Sequence, residues 1–164
     1  MGPRVEFLIR RLRAEGDALL TQLHALAVEA WATPVYAGAT TWTIHSVLAH
    51  LVSAEHYLQL MIADIAAGGP GAPADVDVDA INAAEVATLT RLSPAELIER
   101  LAMARERTVV LVSTFDEDTL DRRGRHPVLG EITLDDFVKL IYRHAKMHMR
   151  DVQHAQNSNL MRTG

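Results

Sequence analysis

The fold is decided by the stretch LDDFVKLIYRHAKMHMRDVQHAQ, residues 134–156. At about 100° per residue, its apolar side chains fall on one face of a helix. Two histidines, His144 and His148, fall within that same face and not on its polar edge. The stretch therefore predicts a long amphipathic helix that turns two polar side chains toward a protein core.

The pair His144 and His148 suggests a buried metal site. Polar side chains on a core-facing stripe are costly unless a partner satisfies them. Imidazoles four residues apart are neighbours on a helix, and two of them can close on one cation. The alternative is a pair of ordinary core histidines, hydrogen-bonded to backbone, hydroxyl or carboxylate groups.

Three further segments show apolar residues at helical spacing. The first predicted helix runs from about Arg4 to Ala32, and the second opens at Thr43 and stops before Gly68. The third begins at Ser93 with a capping box that places proline at the first helical position. The fourth is the His-containing helix, and no segment has the pattern of a convincing strand. Four amphipathic helices predict an all-α four-helix bundle.

The connection between the second and third helices, residues 68–92, is too long for a simple hairpin. Part of it, from Asp79 to about Leu89, has the pattern of a short extra helix. A long crossover of this kind would let the third helix run parallel to the second. We expect residues 1–164 to form a single domain of this type.

Composition excludes several classes of function. The chain has no cysteine, which excludes disulfides, thiolate metal sites and a cysteine nucleophile. The net charge is −5, and the two short basic clusters are not interleaved with aromatic residues, so we expect no nucleic-acid partner. No apolar run approaches the ~20 residues of a membrane span. With no secretory signal pattern either, we expect no membrane association and a cytoplasmic protein.

A third metal ligand would come from the second helix, which carries His45, His50 and His56. On a helical wheel, His45 and His56 lie far round from the apolar stripe, whereas His50 lies near its edge. His50 alone could reach a bundle interior. The wheel by itself leaves its role open.

Several short motifs, taken in order, resemble one family of metal-binding helical bundles, the DinB-like (DinB/YfiT-like) group. The segments WTI at 42–44 and VLAHL at 47–51, followed by Glu55, resemble its second-helix signature. The segments HAKMH at 144–148 and DVQ at 151–153 resemble its last-helix signature, and the middle stretch with TFDEDTLD at 114–121 is also similar. The likeness spans most of residues 1–157.

The resemblance implies a three-histidine site made of His50, His144 and His148 in an open cleft of the bundle. Members of the family usually bind zinc, nickel or a similar divalent ion, often as homodimers. Some are transferases or isomerases that use the low-molecular-weight thiols mycothiol or bacillithiol. Others are hydrolases or detoxification proteins, and many have no known reaction. The metal inference carries over to this chain, but no particular activity does.

The chemistry of three histidines supports the same site independently. Three neutral imidazoles leave at least one open position on the ion, which is the ligand count of catalytic zinc, whereas structural sites are closed by four protein ligands. A water or thiol bound at the open position would lose its proton readily. No Glu-x-x-His or His-Glu-x-x-His occurs in the chain, which excludes the di-iron carboxylate and zincin patterns.

Other polar residues are candidates for the catalytic and binding machinery. Glu55 and Arg105 both face inward on their helices, and a buried structural salt bridge between them is the favoured interpretation. In the functional interpretation, Glu55 or Asp151 orients a histidine or carries a proton. Arg125 and His126, in the loop before the last helix, are candidates to bind a cofactor or substrate; a solvated turn and a surface histidine are the alternatives.

Three hypotheses of function follow. The leading one is a mononuclear metal enzyme that activates a thiol cofactor or water against a small electrophilic substrate. The second is a protein that binds a metal or sequesters a ligand without turnover, for instance in resistance to a toxic small molecule. The third is a metal-free helical interaction protein. Metal analysis separates the third from the other two.

Overall fold

Five α-helices dominate the computed structural model, which describes residues 2–38 and 40–163. In chain order they are α1 (Pro3–His24), α2 (Ile44–Ala66), α3 (Val78–Leu89), α4 (Pro94–Ser113) and α5 (Leu134–Thr163). Helices α1, α2, α4 and α5 correspond to the four predicted helices, and α3 is the short extra helix expected in the long connection. The all-α fold class is confirmed.

Local capping explains where three of these helices begin. The Thr43 side chain accepts a hydrogen bond from the backbone N–H of Ser46 at the start of α2. Asp77 does the same for Ala80 at the start of α3. Ser93 and Glu96 form the predicted reciprocal capping box at the start of α4. These bonds satisfy backbone N–H groups that a helix leaves without partners in its first turn.

The first helix ends earlier than predicted, at His24 instead of Ala32. Ala27 adopts an extended backbone conformation (ψ 154°), which ends the helical path, and Val28–Ala32 form a separate turn of 3₁₀ helix. Apolar residues continue through this segment because Leu26 and Trp31 still pack against the core. The apolar spacing therefore continued across a real break in the helix.

Two short antiparallel hairpins were not predicted from the sequence. In the first, β1 (Pro34–Tyr36) pairs with β2 (Trp42–Thr43), immediately before α2. In the second, β3 (Arg123–His126) pairs with β4 (Gly130–Thr133), immediately before α5. Strands of two to four residues are too short to display an alternating pattern.

Because of the crossover, successive helices do not alternate in direction as they would in a simple up-and-down bundle. Ion pairs join Arg4 of α1 to Glu117, beyond the end of α4, and Arg13 to Glu106, so these two helices are antiparallel. Arg4 also faces Asp135 and Glu15 faces Lys146, so α1 and α5 run parallel.

Two apolar clusters define the ends of the bundle and the direction of α2. One contains residues from 5–12, 58–65, 109–115 and 134–142. The other contains residues from 19–23, 44–52, 97–101 and 145–152. Helices α2 and α4 therefore run in the same direction, opposite to α1 and α5, as the length of the crossover predicted. Within the described ranges, no helix is both long enough and apolar enough to cross a membrane.

Candidate metal centre

Three histidines meet between α2 and α5. The Nε2 atom of His144 lies 3.2 Å from Nε2 of His50 and 3.0 Å from Nε2 of His148. One ligand atom from each residue lies within 4.8 Å of the others. His50 and His148 are buried, and His144 is partly buried. The group predicted from the sequence is thus brought together, with its ring nitrogens pointing at one another.

The arrangement of the three ring nitrogens suits coordination of a divalent cation better than it suits hydrogen bonding among the rings. A neutral imidazole has one N–H donor and one acceptor nitrogen, so two contacts to the same Nε2 of His144 cannot both be ideal hydrogen bonds. Tetrahedral ligands about 2.0–2.1 Å from a zinc ion lie about 3.3–3.4 Å from one another, close to the separations found here. The donor set could therefore hold a divalent ion.

The environment keeps these rings in the form that binds a metal. Burial, reinforced by the neighbouring rings, lowers the pKa of His50 to about 4 and that of His144 to about 3. Burial also lowers the pKa of His148, although Asp151 opposes this effect. Because a metal binds only the unprotonated nitrogen, competition from protons is weak at neutral pH.

Nδ1 of His148, the ring nitrogen that faces away from the other two histidines, is part of a hydrogen-bond network with Tyr36 and Asp151. Nδ1 of His148 lies 2.7 Å from the hydroxyl oxygen of Tyr36. The same hydroxyl donates to Oδ2 of Asp151 at 2.5 Å. Burial, with the Asp151 hydrogen bond, raises the pKa of Tyr36, so the hydroxyl keeps its proton. A histidine that binds a metal through one ring nitrogen commonly donates the hydrogen of the other nitrogen to an acceptor, which fixes the ring orientation. Here the Tyr36 oxygen, itself bonded to Asp151, is placed to be that acceptor.

Sequence reasoning placed Asp151 on the histidine side of the last helix but missed Tyr36. Tyr36 lies in β1 and is 112 residues before His148, so no helical spacing connects them. The β1–β2 hairpin also brings in Trp42, whose ring centre is 5.2 Å from that of His50. Tyr36 and Trp42 lie edge to face at 6.4 Å. Together they form an aromatic wall beside the histidines.

Glu55 forms the buried ion pair that the sequence favoured. Nε and Nη2 of Arg105 donate to its two carboxylate oxygens at 2.7 and 3.1 Å. The Thr108 hydroxyl lies 3.2 Å from the same carboxylate. Nη1 of Arg105 donates to the backbone oxygen of Leu12 at 3.1 Å. Both Glu55 oxygens are thus engaged by a structural pair that ties α4 to α2 and α1, which argues against Glu55 as a proton carrier.

Arg125 and His126 lie in β3 and do not join the histidine group. The Arg125 side chain is exposed. Nδ1 of His126 accepts the backbone N–H groups of Val128 and Leu129, both at 3.1 Å. The His126 ring lies 5.6 Å from that of Phe137, two turns before His144 on α5. Their assignment to cofactor binding stays a prediction.

Comparison with protein families gives one match that covers most of the chain. The model of the DinB superfamily matches residues 11–152. No curated protein matches the sequence.

Solved structures share the fold at low sequence identity. The mycothiol-dependent maleylpyruvate isomerase superposes with a TM-score of 0.74 at 18% identity, over 93% of this chain and 63% of its own length. This chain therefore spans less than two thirds of that enzyme. YfiT from Bacillus subtilis, described as a probable metal-dependent hydrolase with an unusual four-helix bundle topology, superposes with a TM-score of 0.72 at 20% identity. That match covers 96% of this chain and 89% of YfiT.

Proposed function

The chain belongs to the DinB superfamily, and we propose that it is a mononuclear metal enzyme whose ion is held by His50, His144 and His148. The observation that carries this proposal is the convergence of three Nε2 atoms, at 3.0 and 3.2 Å around His144, where burial lowers the pKa of all three rings. Zinc or nickel suits such a set, because imidazole is a preferred ligand of both.

A divalent ion with three protein ligands supplies an open position at which a water or thiol loses its proton readily. The remaining parts of the site would come from residues of the protein. His50, His144 and His148 would hold the ion, and Tyr36 and Trp42 lie beside these rings. Asp151 is the candidate to hold His148 in place, since its carboxylate accepts the Tyr36 hydroxyl, which in turn contacts Nδ1 of His148; as a proton acceptor it would need its own contact with the bound water or thiol. Glu55 is the weaker candidate, because Arg105 engages both of its oxygens.

The substrate we propose is a small electrophile, attacked by water or by a low-molecular-weight thiol. Since the chain contains no cysteine, any sulfur nucleophile must come from outside it. Mycothiol and bacillithiol are the candidates, with Arg125 and His126 as residues for binding such a cofactor. We also propose a single domain over residues 1–164, a homodimer and a cytoplasmic location, with no nucleic-acid or membrane partner. The alternatives remain metal or ligand sequestration without turnover, and a metal-free interaction protein.

The experiment that tests this function compares wild-type protein with a His144→Ala variant. Each is loaded with zinc or nickel and given an electrophilic probe, such as an activated ester or 1-chloro-2,4-dinitrobenzene, with and without added mycothiol or bacillithiol. Turnover that needs both the metal and the thiol supports the transferase form, and turnover without thiol supports the hydrolase form. Metal binding with no turnover of any probe in the panel would favour sequestration.

Changing Asp151 to asparagine should slow the reaction without removing the metal. Asn keeps the size of the side chain but removes the charge that stabilises the Tyr36–His148 chain. We expect turnover to fall about 10–100-fold, as is typical for partners of metal ligands, while metal content stays at the wild-type level. Steady-state rates and elemental analysis on the same preparation check this. An unchanged rate would remove Asp151 from the mechanism.

Removal of the metal should leave the fold intact. The two apolar clusters draw on all four long helices, and a core of this size is sufficient without a metal, unlike that of a small zinc domain. Protein treated with a chelator should therefore keep its helical circular dichroism spectrum. Loss of that signal on chelation, with recovery on adding zinc, would show that the site is structural.

A further inference from the structure

We propose that Tyr36 is a positioning residue for the metal centre, because its hydroxyl holds His148 with the proton on Nδ1 and so leaves Nε2 free as a ligand. The inference rests on the proposed function for its consequence in metal binding. Its basis is the hydrogen-bond geometry of Tyr36, His148 and Asp151, none of which requires an ion to be present.

The Tyr36 hydroxyl has a single hydrogen and two polar neighbours. Its oxygen lies between Oδ2 of Asp151, at 2.5 Å, and Nδ1 of His148, at 2.7 Å. In the structure this hydroxyl donates to Oδ2 of Asp151, and a hydroxyl has only one hydrogen to donate. The tyrosine hydrogen must therefore go to Asp151, and the contact with His148 requires a hydrogen that comes from the ring.

The consequence for His148 is a defined tautomer. Nδ1 donates its hydrogen to the Tyr36 oxygen, so Nε2 carries a lone pair and no proton. Nε2 is the atom that faces His144 at 3.0 Å. The lone pair therefore points at the centre of the three-histidine group before any ion arrives. A ring with the opposite tautomer would have to shift its proton first.

Tyr36 reaches His148 from a distant part of the chain, 112 residues earlier. Asp151 follows His148 by three residues on α5, but the structure places the hydroxyl of a different element between the two side chains. Tyr36 belongs to β1, which pairs with β2 directly before α2, the helix that carries His50. Its ring also lies 5.7 Å from the His148 ring. The β1–β2 hairpin, which directly precedes α2, thus orients His148 on α5.

The test uses Tyr36→Phe, which keeps the ring beside His148 and Trp42 and removes only the hydroxyl. Tyr57→Phe is the matched control, because the Tyr57 hydroxyl also donates to a carboxylate, that of Glu85 on α3, at 3.3 Å. A second variant, Asp151→Ala, releases the Tyr36 hydrogen so that it can be donated to Nδ1 of His148. Circular dichroism verifies the fold of each variant.

The first readout is the tautomer of His148 in metal-free protein, measured by long-range ¹H–¹⁵N NMR correlation of the ring. We expect the Nδ1–H form in wild type and in Tyr57→Phe, and a larger share of the Nε2–H form in Tyr36→Phe and Asp151→Ala. A general loss of stability would not move the proton of His148 from Nδ1 to Nε2. The tautomer measurement therefore distinguishes a positioning role of Tyr36 from a structural one.

The second readout is the dissociation constant for Zn²⁺, measured by competition with a chromophoric chelator. We expect Tyr36→Phe to bind about 10–100-fold more weakly than wild type, and Tyr57→Phe to match wild type. An unchanged His148 tautomer in Tyr36→Phe would overturn the proposal. If wild type binds no Zn²⁺, the proposed function fails, and the tautomer measurement still decides the role of Tyr36.

Discussion

Replacing His144 by alanine is expected to abolish metal binding, so that the metal content of purified protein falls from about one ion per chain to a background level. Its Nε2 is the atom that both other rings approach, at 3.2 and 3.0 Å. Without it, His50 and His148 are left as a two-ligand site, and catalytic divalent sites in proteins usually have three protein ligands. Elemental analysis of untagged protein, after dialysis against a zinc buffer, measures the change.

The matched control is His154→Ala on the same helix. His154 is exposed and does not belong to the three-histidine group, so its loss should leave the metal content unchanged. The same pattern is expected for His148→Ala as for His144→Ala. Full metal content in either of these two variants would show that the ion is held by other residues.

Replacing Arg105 by methionine is expected to lower the free energy of unfolding by about 3–5 kcal/mol, the range for breaking one side of a buried ion pair. The exposed fraction is 4% for Glu55 and 6% for Arg105. The variant leaves the Glu55 carboxylate buried without its cation, and it also removes the donor to the backbone of Leu12. Chemical denaturation followed by circular dichroism measures the loss.

Arg107→Met is the control for this prediction, because Arg107 lies on the same helix but is exposed and should change stability by less than about 0.5 kcal/mol. The double variant Arg105→Met with Glu55→Gln should recover part of the loss, since the unpaired charge is then absent. A small effect of Arg105→Met alone would mean that water or another cation reaches Glu55.

Local signals in the sequence predicted much of the fold. The capping box at Ser93 marked the start of α4, and Thr43 marked the start of α2, because capping depends on residues three apart in the chain. The inward side of α5 followed from its periodicity, and this placed His144, His148 and Asp151 on one side. The crossover followed from the length of the 68–92 connection alone.

Features that depend on contacts distant in sequence could not be predicted in the same way. On the helical wheel, His50 lay at the edge of the apolar stripe, and only the family resemblance selected it. The end of α1 was missed because apolar residues continue into the 3₁₀ turn after Ala27. The hairpins were missed because their strands are very short. Tyr36 was missed because its partner Asp151 is 115 residues away.

The most direct test of the account is a crystal structure of the zinc-loaded protein with anomalous diffraction measured at the zinc edge. We predict one anomalous peak between α2 and α5, about 2.0–2.2 Å from Nε2 of His50, His144 and His148, with a non-protein ligand at the open position. A structure with no peak there, or with the peak held by other side chains while the three rings bond only to one another, would contradict the account.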